Sequence, residues 1–204
     1  MIFIDVILII FLFSLFAFSH TWLASLKIKK NFVEKMGNKI AFYRLFYNLS
    51  SIIFFLFFYL VSPRPDLIVY DLHYPFDIIT FALQILSFIG LILAVRGTNL
   101  KEFAGISQIV RYLDGNYNVY DLDERQIFRK DGPFKLVRHP VYLFSILFLG
   151  LRPTMDLFYL VMFICITIYF YIGSLYEEKK LIEIFGNEYL EYQKSVPRLI
   201  PFIK

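Results

Sequence analysis

The stretch Arg138-His139-Pro140-Val141-Tyr142-Leu143-Phe144-Ser145-Ile146-Leu147-Phe148-Leu149-Gly150-Leu151-Arg152-Pro153 decides how the chain is read. Its apolar part, Val141 to Leu151, is too short to cross a bilayer, which takes roughly 20 apolar residues. Pro140 suits a first helical turn and Pro153 stops one, so the segment reads as a short helix. A full-length run, Leu157 to Tyr176, follows at once, and the two are expected to form a helical hairpin. The alternative is a longer helix that begins near Lys135 and bends at Pro140.

On the N-terminal side, three more runs reach or approach crossing length: Ile2 to Leu26, Ile40 to Val61 and Phe76 to Val95. Composition agrees, with 58% hydrophobic and 19% charged residues among 204. A soluble domain has about 45–50% and about 25%. The aromatic content excludes a disordered chain, and a lone cysteine, Cys165, excludes a disulfide-stapled one. The expected fold is all-α: a polytopic membrane helical bundle of about five transmembrane helices, in one domain. Residues 1–95 would hold three spans, and 96–204 a cofactor-binding loop, the hairpin and a C-terminal cover. The first run has no basic residue ahead of it and carries Asp5, so it reads as an anchor rather than a secretory signal.

Nineteen of the 21 Lys and Arg fall in three segments: the one after the first run, Arg96 to Arg138, and the tail from Lys179. The positive-inside rule then puts the N-terminus outside and the C-terminus in the cytoplasm, with an odd number of crossings. The net charge of +4 is thereby assigned to the bilayer surface, not to nucleic acid.

Polar residues inside apolar runs need partners. His20 lies near the inner end of the first run, Arg44 and Asn48 share a face of the second, and Thr80, Gln84 and Ser87 form a stripe on the third. Two readings fit: interhelical hydrogen bonding with Arg44 snorkelling to the interface, or, for His20, Arg44 and Asn48, the lining of an acceptor cavity. Arg138-His139 directly before a helix-opening proline puts donors and free backbone N–H groups at one helix start. That is an anion site, or else a pair of interface residues at headgroup level. Glu177-Glu178, where the last run ends, repel each other and oppose the helix dipole. They call for a cationic or hydroxyl-bearing partner, with Arg138, Lys179 and Arg198 as candidates within the chain, unless they merely start a solvated helix. Leu181, Ile184, Phe185, Tyr189 and Tyr192 then form one helical stripe, interrupted by Gly186 and ended by Val196-Pro197. No Gly-rich phosphate loop, zinc-ligand spacing or serine nucleophile elbow is present in the sequence.

Arg138-His139-Pro140-Val141-Tyr142, then Glu177-Glu178, Phe185-Gly186-Asn187-Glu188-Tyr189-Leu190-Glu191-Tyr192 and Val196-Pro197 together resemble the membrane methyltransferases typified by isoprenylcysteine carboxyl methyltransferase. The upstream His20, Tyr43-Arg44, Tyr47-Asn48 and Phe103-Ala104-Gly105-Ile106-Ser107-Gln108 look most like the bacterial branch containing methanethiol S-methyltransferase. The resemblance implies S-adenosyl-L-methionine as methyl donor in a cytoplasmic pocket over the last two helices. His139, Pro140, Val141 and Tyr142 would contact it, with Glu177 and Glu178 on its ribose or amino group. Gln126, Ile127, Phe128, Arg129 and Phe134 would form the adenine side, and Gln108 a further contact. Arg138 would take the donor's carboxylate, while Arg44 would lower the pKa of a thiol acceptor from about 8.5. Isoprenylcysteine methyltransferases carry an arginine four residues before the donor-binding glutamate; here Gly173 stands there, which argues against a prenylcysteine carboxylate. A sulfur acceptor that enters from the bilayer is therefore preferred. Phospholipid N-methylation, a non-enzymatic scaffold or transport subunit, and a nicotinamide-dependent reductase are the rivals.

Overall fold

A computed structural model of the chain describes residues 1–96, 99–119 and 127–202. Nine α-helices occur among them: α1 Ile2–Ala24, α2 Leu26–Met36, α3 Tyr43–Val61, α4 Phe76–Val95, α5 Leu100–Ala104, α6 Ile106–Leu113, α7 Pro140–Gly150, α8 Leu157–Phe185 and α9 Asn187–Ser195. Two short strands, β1 Ile68–Asp71 and β2 Thr154–Asp156, form one antiparallel ribbon. The protein is thus an all-α polytopic bundle. Four stretches are long and apolar enough to cross a membrane: α1, the segment Leu26–Val61, α4 and α8. Their large side chains are widely exposed, as at Ile52, Ile53, Phe57 and Leu60 on α3, a surface suited to lipid rather than water.

The chain divides into two compact units, residues 3–63 with 98–127, and residues 64–97 with 128–204. In the first, α1 and α3 pack through edge-on aromatic pairs, Phe13 on Phe58 and Phe16 on Phe55, around the fully buried Ile9. The Tyr43 hydroxyl closes the base by donating to the Leu23 carbonyl at 2.9 Å. The short helices α5 and α6 meet at Gly105, whose φ of +89° lies in the left-handed region. A Cβ there would stand 2.7 Å from the Leu45 backbone nitrogen, so only glycine lets this elbow sit against α3.

In the second unit α4 packs on α7. Gly90 leaves room for the Phe144 ring, and Gln84 donates to the Phe148 carbonyl at 2.8 Å. That carbonyl lies in the last turn of α7, where no intrahelical partner exists. The expected polar stripe on α4 is only partly interhelical. Thr80 and Ser87 bond back to carbonyls of their own helix, at Phe76 and Leu83, which is how hydroxyls satisfy themselves in an apolar segment.

Helix α7 starts at Pro140, and Gly132–Lys135 is a separate 3-10 turn. The longer helix bending at Pro140 is therefore not formed. At 11 residues α7 is about 16 Å long, roughly half the hydrocarbon thickness. The expected hairpin is present with an unforeseen feature: its tip, β2, pairs with β1. The Tyr70 hydroxyl reaches the Arg152 carbonyl at 3.1 Å, and Thr154 donates to Asp71 at 2.6 Å. Helix α8 runs past the acidic pair without a break to Phe185 and stops at Gly186, with φ of +56°.

Candidate functional site

Successive residues on a helix point about 100° apart, so Glu177 and Glu178 cannot face the same way. Glu178 turns inward and is 3% exposed, whereas the Glu177 side chain is 45% exposed. The Glu178 carboxylate accepts from Arg138 Nε at 2.7 Å, from Arg198 Nη2 at 2.9 Å and Nε at 3.1 Å, and from Gln193 Nε2 at 3.0 Å. His139 Nε2 lies 3.2 Å from its Oε1. One buried carboxylate thus ties together the start of α7, the end of α9 and the extended tail. A buried charge is tolerated because it is paired and fully hydrogen-bonded.

Backbone bonds complete this knot. The amides of Arg138 and His139 donate to the carbonyls of Pro197 and Arg198, at 2.8 and 3.1 Å. Arg138 Nη1 donates to the carbonyls of Gln193 and Val196. The guanidinium of Arg138 is therefore engaged with the chain's own C-terminal segment. Of the three cations considered for the acidic pair, Arg138 and Arg198 hold Glu178. Gln193 joins them unforeseen, since nothing in the spacing from α8 to α9 marks it.

Glu177 is held, among the described residues, from the start of α7. The Tyr142 hydroxyl donates to its Oε2 at 3.0 Å, and His139 Nδ1 stands 3.4 Å from the same oxygen. Both ring nitrogens of His139 thus face carboxylates. Burial pushes the imidazole pKa down, but the hydrogen bonds and charges of Glu177 and Glu178 outweigh it and leave His139 above the ordinary histidine value. The rings of His139 and Tyr142 are stacked, 5.4 Å apart and 5° from parallel. Tyr142 stacks in turn on Phe170 of α8 at 4.6 Å, a contact that sequence reading missed. Pro140 is buried beneath, and Val141 is partly exposed.

Of the residues expected on the adenine side, Phe128, Arg129 and Phe134 gather around Tyr192. Gln126 lies outside the described residues. Ile127 is exposed. Phe128 packs among Phe185, Tyr189 and Tyr192, while Arg129 pairs with Asp131 and lies 5.6 Å from the Phe134 ring centre. The Phe134 carbonyl accepts from the Tyr192 hydroxyl at 2.6 Å. Burial pushes the Tyr192 phenol up to about 12 and Tyr189 higher still. The Tyr189 hydroxyl is buried with no hydrogen-bond partner among the described residues.

The second expected cluster belongs to the first unit. Arg44 Nε and Asn48 Nδ2 both donate to the Phe103 carbonyl, at 3.1 and 2.7 Å. His20 joins through Tyr47, whose hydroxyl lies 2.8 Å from Nε2, while Nδ1 lies 2.8 Å from Ser51 Oγ. Gln108 is buried in the same unit and donates to Glu102, which also pairs with Arg111.

Among characterised proteins the chain is similar to methanethiol S-methyltransferase 1 of Bradyrhizobium diazoefficiens, with 31% identity over 97% of this chain and 67% of the relative. It also resembles the methanethiol S-methyltransferases of Pseudomonas deceptionensis and Crocosphaera subtropica. The first is 42% identical over 38% of this chain and 29% of that protein, the second 29% identical over 62% and 48%. No family model matches the chain, and no solved structure does. The match over 97% of this chain and 67% of the first relative, on a bundle of apolar helices, places the chain in the membrane methyltransferases: it belongs to the methanethiol S-methyltransferase family.

Proposed function

We propose that the protein is an integral-membrane, S-adenosyl-L-methionine-dependent methyltransferase that acts on a small thiol of the methanethiol type. The observation that carries this reading is the division of labour in the acidic pair: Glu178 is consumed in holding the fold, whereas Glu177 is exposed and fixed in orientation by Tyr142 and His139. The donor, when bound, supplies a methyl group on a sulfonium whose departing form is a neutral thioether. The residues present fit such a molecule. Glu177 can accept from an ammonium or from ribose hydroxyls, and the first-turn amides of α7, which lack a side-chain cap, suit its carboxylate. The Tyr189 hydroxyl, buried without a hydrogen-bond partner among the described residues, is one more donor in this unit.

The protein's own task is positioning and exclusion of water. Orientation of two reactants can account for about 7–11 kcal/mol of a barrier, and the Glu178 knot supplies rigidity by pinning residues 138–139 to the tail. Within the first unit, the cluster of Arg44 and Asn48 with His20 and Tyr47 is the one assigned to the thiol, where the Arg44 cation favours a thiolate. In this reading the donor side and the C-terminus are cytoplasmic, in keeping with the distribution of Lys and Arg.

A thermal-shift comparison of S-adenosylhomocysteine with NADPH tests the proposal. Stabilisation by S-adenosylhomocysteine alone is expected. Stabilisation by NADPH alone would indicate a reductase, and none by either a non-enzymatic subunit.

A further inference from the structure

We propose that α2 and the turn after it form a surface that holds acidic phospholipids by their headgroups. The proposal concerns the first unit alone and does not depend on the identity of the methyl acceptor. Residues 26–42 carry five Lys and one Glu, a net charge of +4 that equals that of the entire chain. Lys29 is buried, at 5% exposure. Lys27, Lys30 and Lys35 on α2 and Lys39 in the following 3-10 turn are exposed, and none of the four is in an ion pair among the described residues. The one acid, Glu34, offsets a single charge, so this exposed surface stays strongly cationic.

Contacts within the unit fix the level of this surface. Ser25, in an extended conformation, is the one residue between α1 and α2, so α2 turns away as soon as the apolar run of α1 ends. The Phe32 ring of α2 stands 5.3 Å from the ring of Tyr43, the first residue of α3, whose hydroxyl bonds to Leu23 in the last turn of α1. A helix tied to the ends of two apolar helices of crossing length lies where hydrocarbon gives way to headgroups. Trp22, the chain's one tryptophan, is 49% exposed in the last turn of α1, and tryptophan is enriched at that level. At about 100° per residue, Leu26, Ile28, Phe32, Val33 and Met36 share one face of α2, and Lys27, Lys30, Glu34 and Lys35 the other. That is the pattern of a helix lying in an interface.

The chemistry selects the occupant. A lysine ammonium is a compact charge on a flexible stem, suited to phosphate as a point charge rather than in one fixed geometry. Four of them spread from Lys27 to Lys39 match several headgroups side by side, not one enclosed ligand. A zwitterionic headgroup neutralises its own phosphate with its own ammonium, whereas an acidic one leaves a negative charge for the protein to meet. Lysines clustered beside a membrane span accordingly favour acidic lipid, each by about fivefold.

Trp22 makes the test possible without a label on the protein. The full chain is placed in bilayers that mix phosphatidylglycerol and phosphatidylcholine, with one or the other brominated near the headgroup end of its chains. Bromine quenches tryptophan on contact, so the quenching of Trp22 reports which lipid stands beside α2. The wild-type protein should favour phosphatidylglycerol by at least about fivefold, the contribution of one lysine. The preference should fall below about twofold in about 1 M salt, where the Debye length is about 3 Å. Lys27→Gln, Lys30→Gln, Lys35→Gln and Lys39→Gln together should remove it, and the same four positions as Arg should keep it. Wild-type Trp22 emission in pure phosphatidylcholine checks that both variants are folded, and the salt series needs no variant at all. No preference in the wild-type protein, one indifferent to salt, or one that the Gln variant keeps would overturn the proposal. Loss of the preference on adding millimolar inorganic phosphate at constant ionic strength would do so too, because it would mark a site for soluble anions.

Discussion

Replacing Glu178 by Gln isolates the central element of the donor side. The substitution keeps volume and one acceptor oxygen but removes the charge that faces Arg138, whose side chain is 9% exposed, and Arg198, which is 30% exposed. Removing one partner of a buried ion pair costs about 3–5 kcal/mol, because the other charge is left uncompensated. Arg198 can regain water and the Gln oxygen retains part of the hydrogen bonding, so the lower end applies, about 3 kcal/mol. Glu177→Gln, one position away, weakens two partly exposed contacts, with Tyr142 and His139, and should cost about 1 kcal/mol or less. The ligand effects run the other way. Glu177→Gln should weaken S-adenosylhomocysteine binding at least about tenfold, the equivalent of about 1.4 kcal/mol. Chemical unfolding in detergent gives the stabilities and titration calorimetry the affinities. Glu178→Gln with wild-type stability, or Glu177→Gln with wild-type affinity, would refute this division of roles.

Further predictions concern His139 and Gly105. The pKa of His139 is raised in the folded chain, so its stabilisation is complete below the ordinary value of about 6.5 and is lost as pH rises through the raised one. His139→Gln should abolish that alkaline decline, as read from unfolding midpoints across pH. Gly105→Ala sets a Cβ 2.7 Å from the Leu45 nitrogen at a φ of +89°. Left-handed strain alone costs about 1–2 kcal/mol. The displaced elbow carries the Phe103 carbonyl away from Arg44 and Asn48, so KM for the thiol should rise while S-adenosylhomocysteine affinity is unchanged.

The long helices α1, α3, α4 and α8 were legible because each carries a run of apolar residues, and α7 begins at the proline that announced it. The acidic pair stood out because two carboxylates at a helix end lack an obvious reason. Which of the two turns inward was not legible, since that depends on where α9 and the tail return. The convergence of Arg138, Gln193 and Arg198 on Glu178 joins residues up to 60 positions apart. The ribbon was missed for the same reason: three or four residues on each side, more than 80 positions apart in sequence, carry no local periodicity. Thr80 and Ser87 look like helix-to-helix contacts in sequence, yet a hydroxyl four residues from a carbonyl needs no second helix.

The most direct measurement is methyl transfer by the purified protein in nanodiscs, with labelled S-adenosyl-L-methionine offered methanethiol, a prenylcysteine and phosphatidylethanolamine in competition. The account predicts label in dimethyl sulfide. Label in the lipid amine or the prenylcysteine ester, with none in dimethyl sulfide, would contradict it.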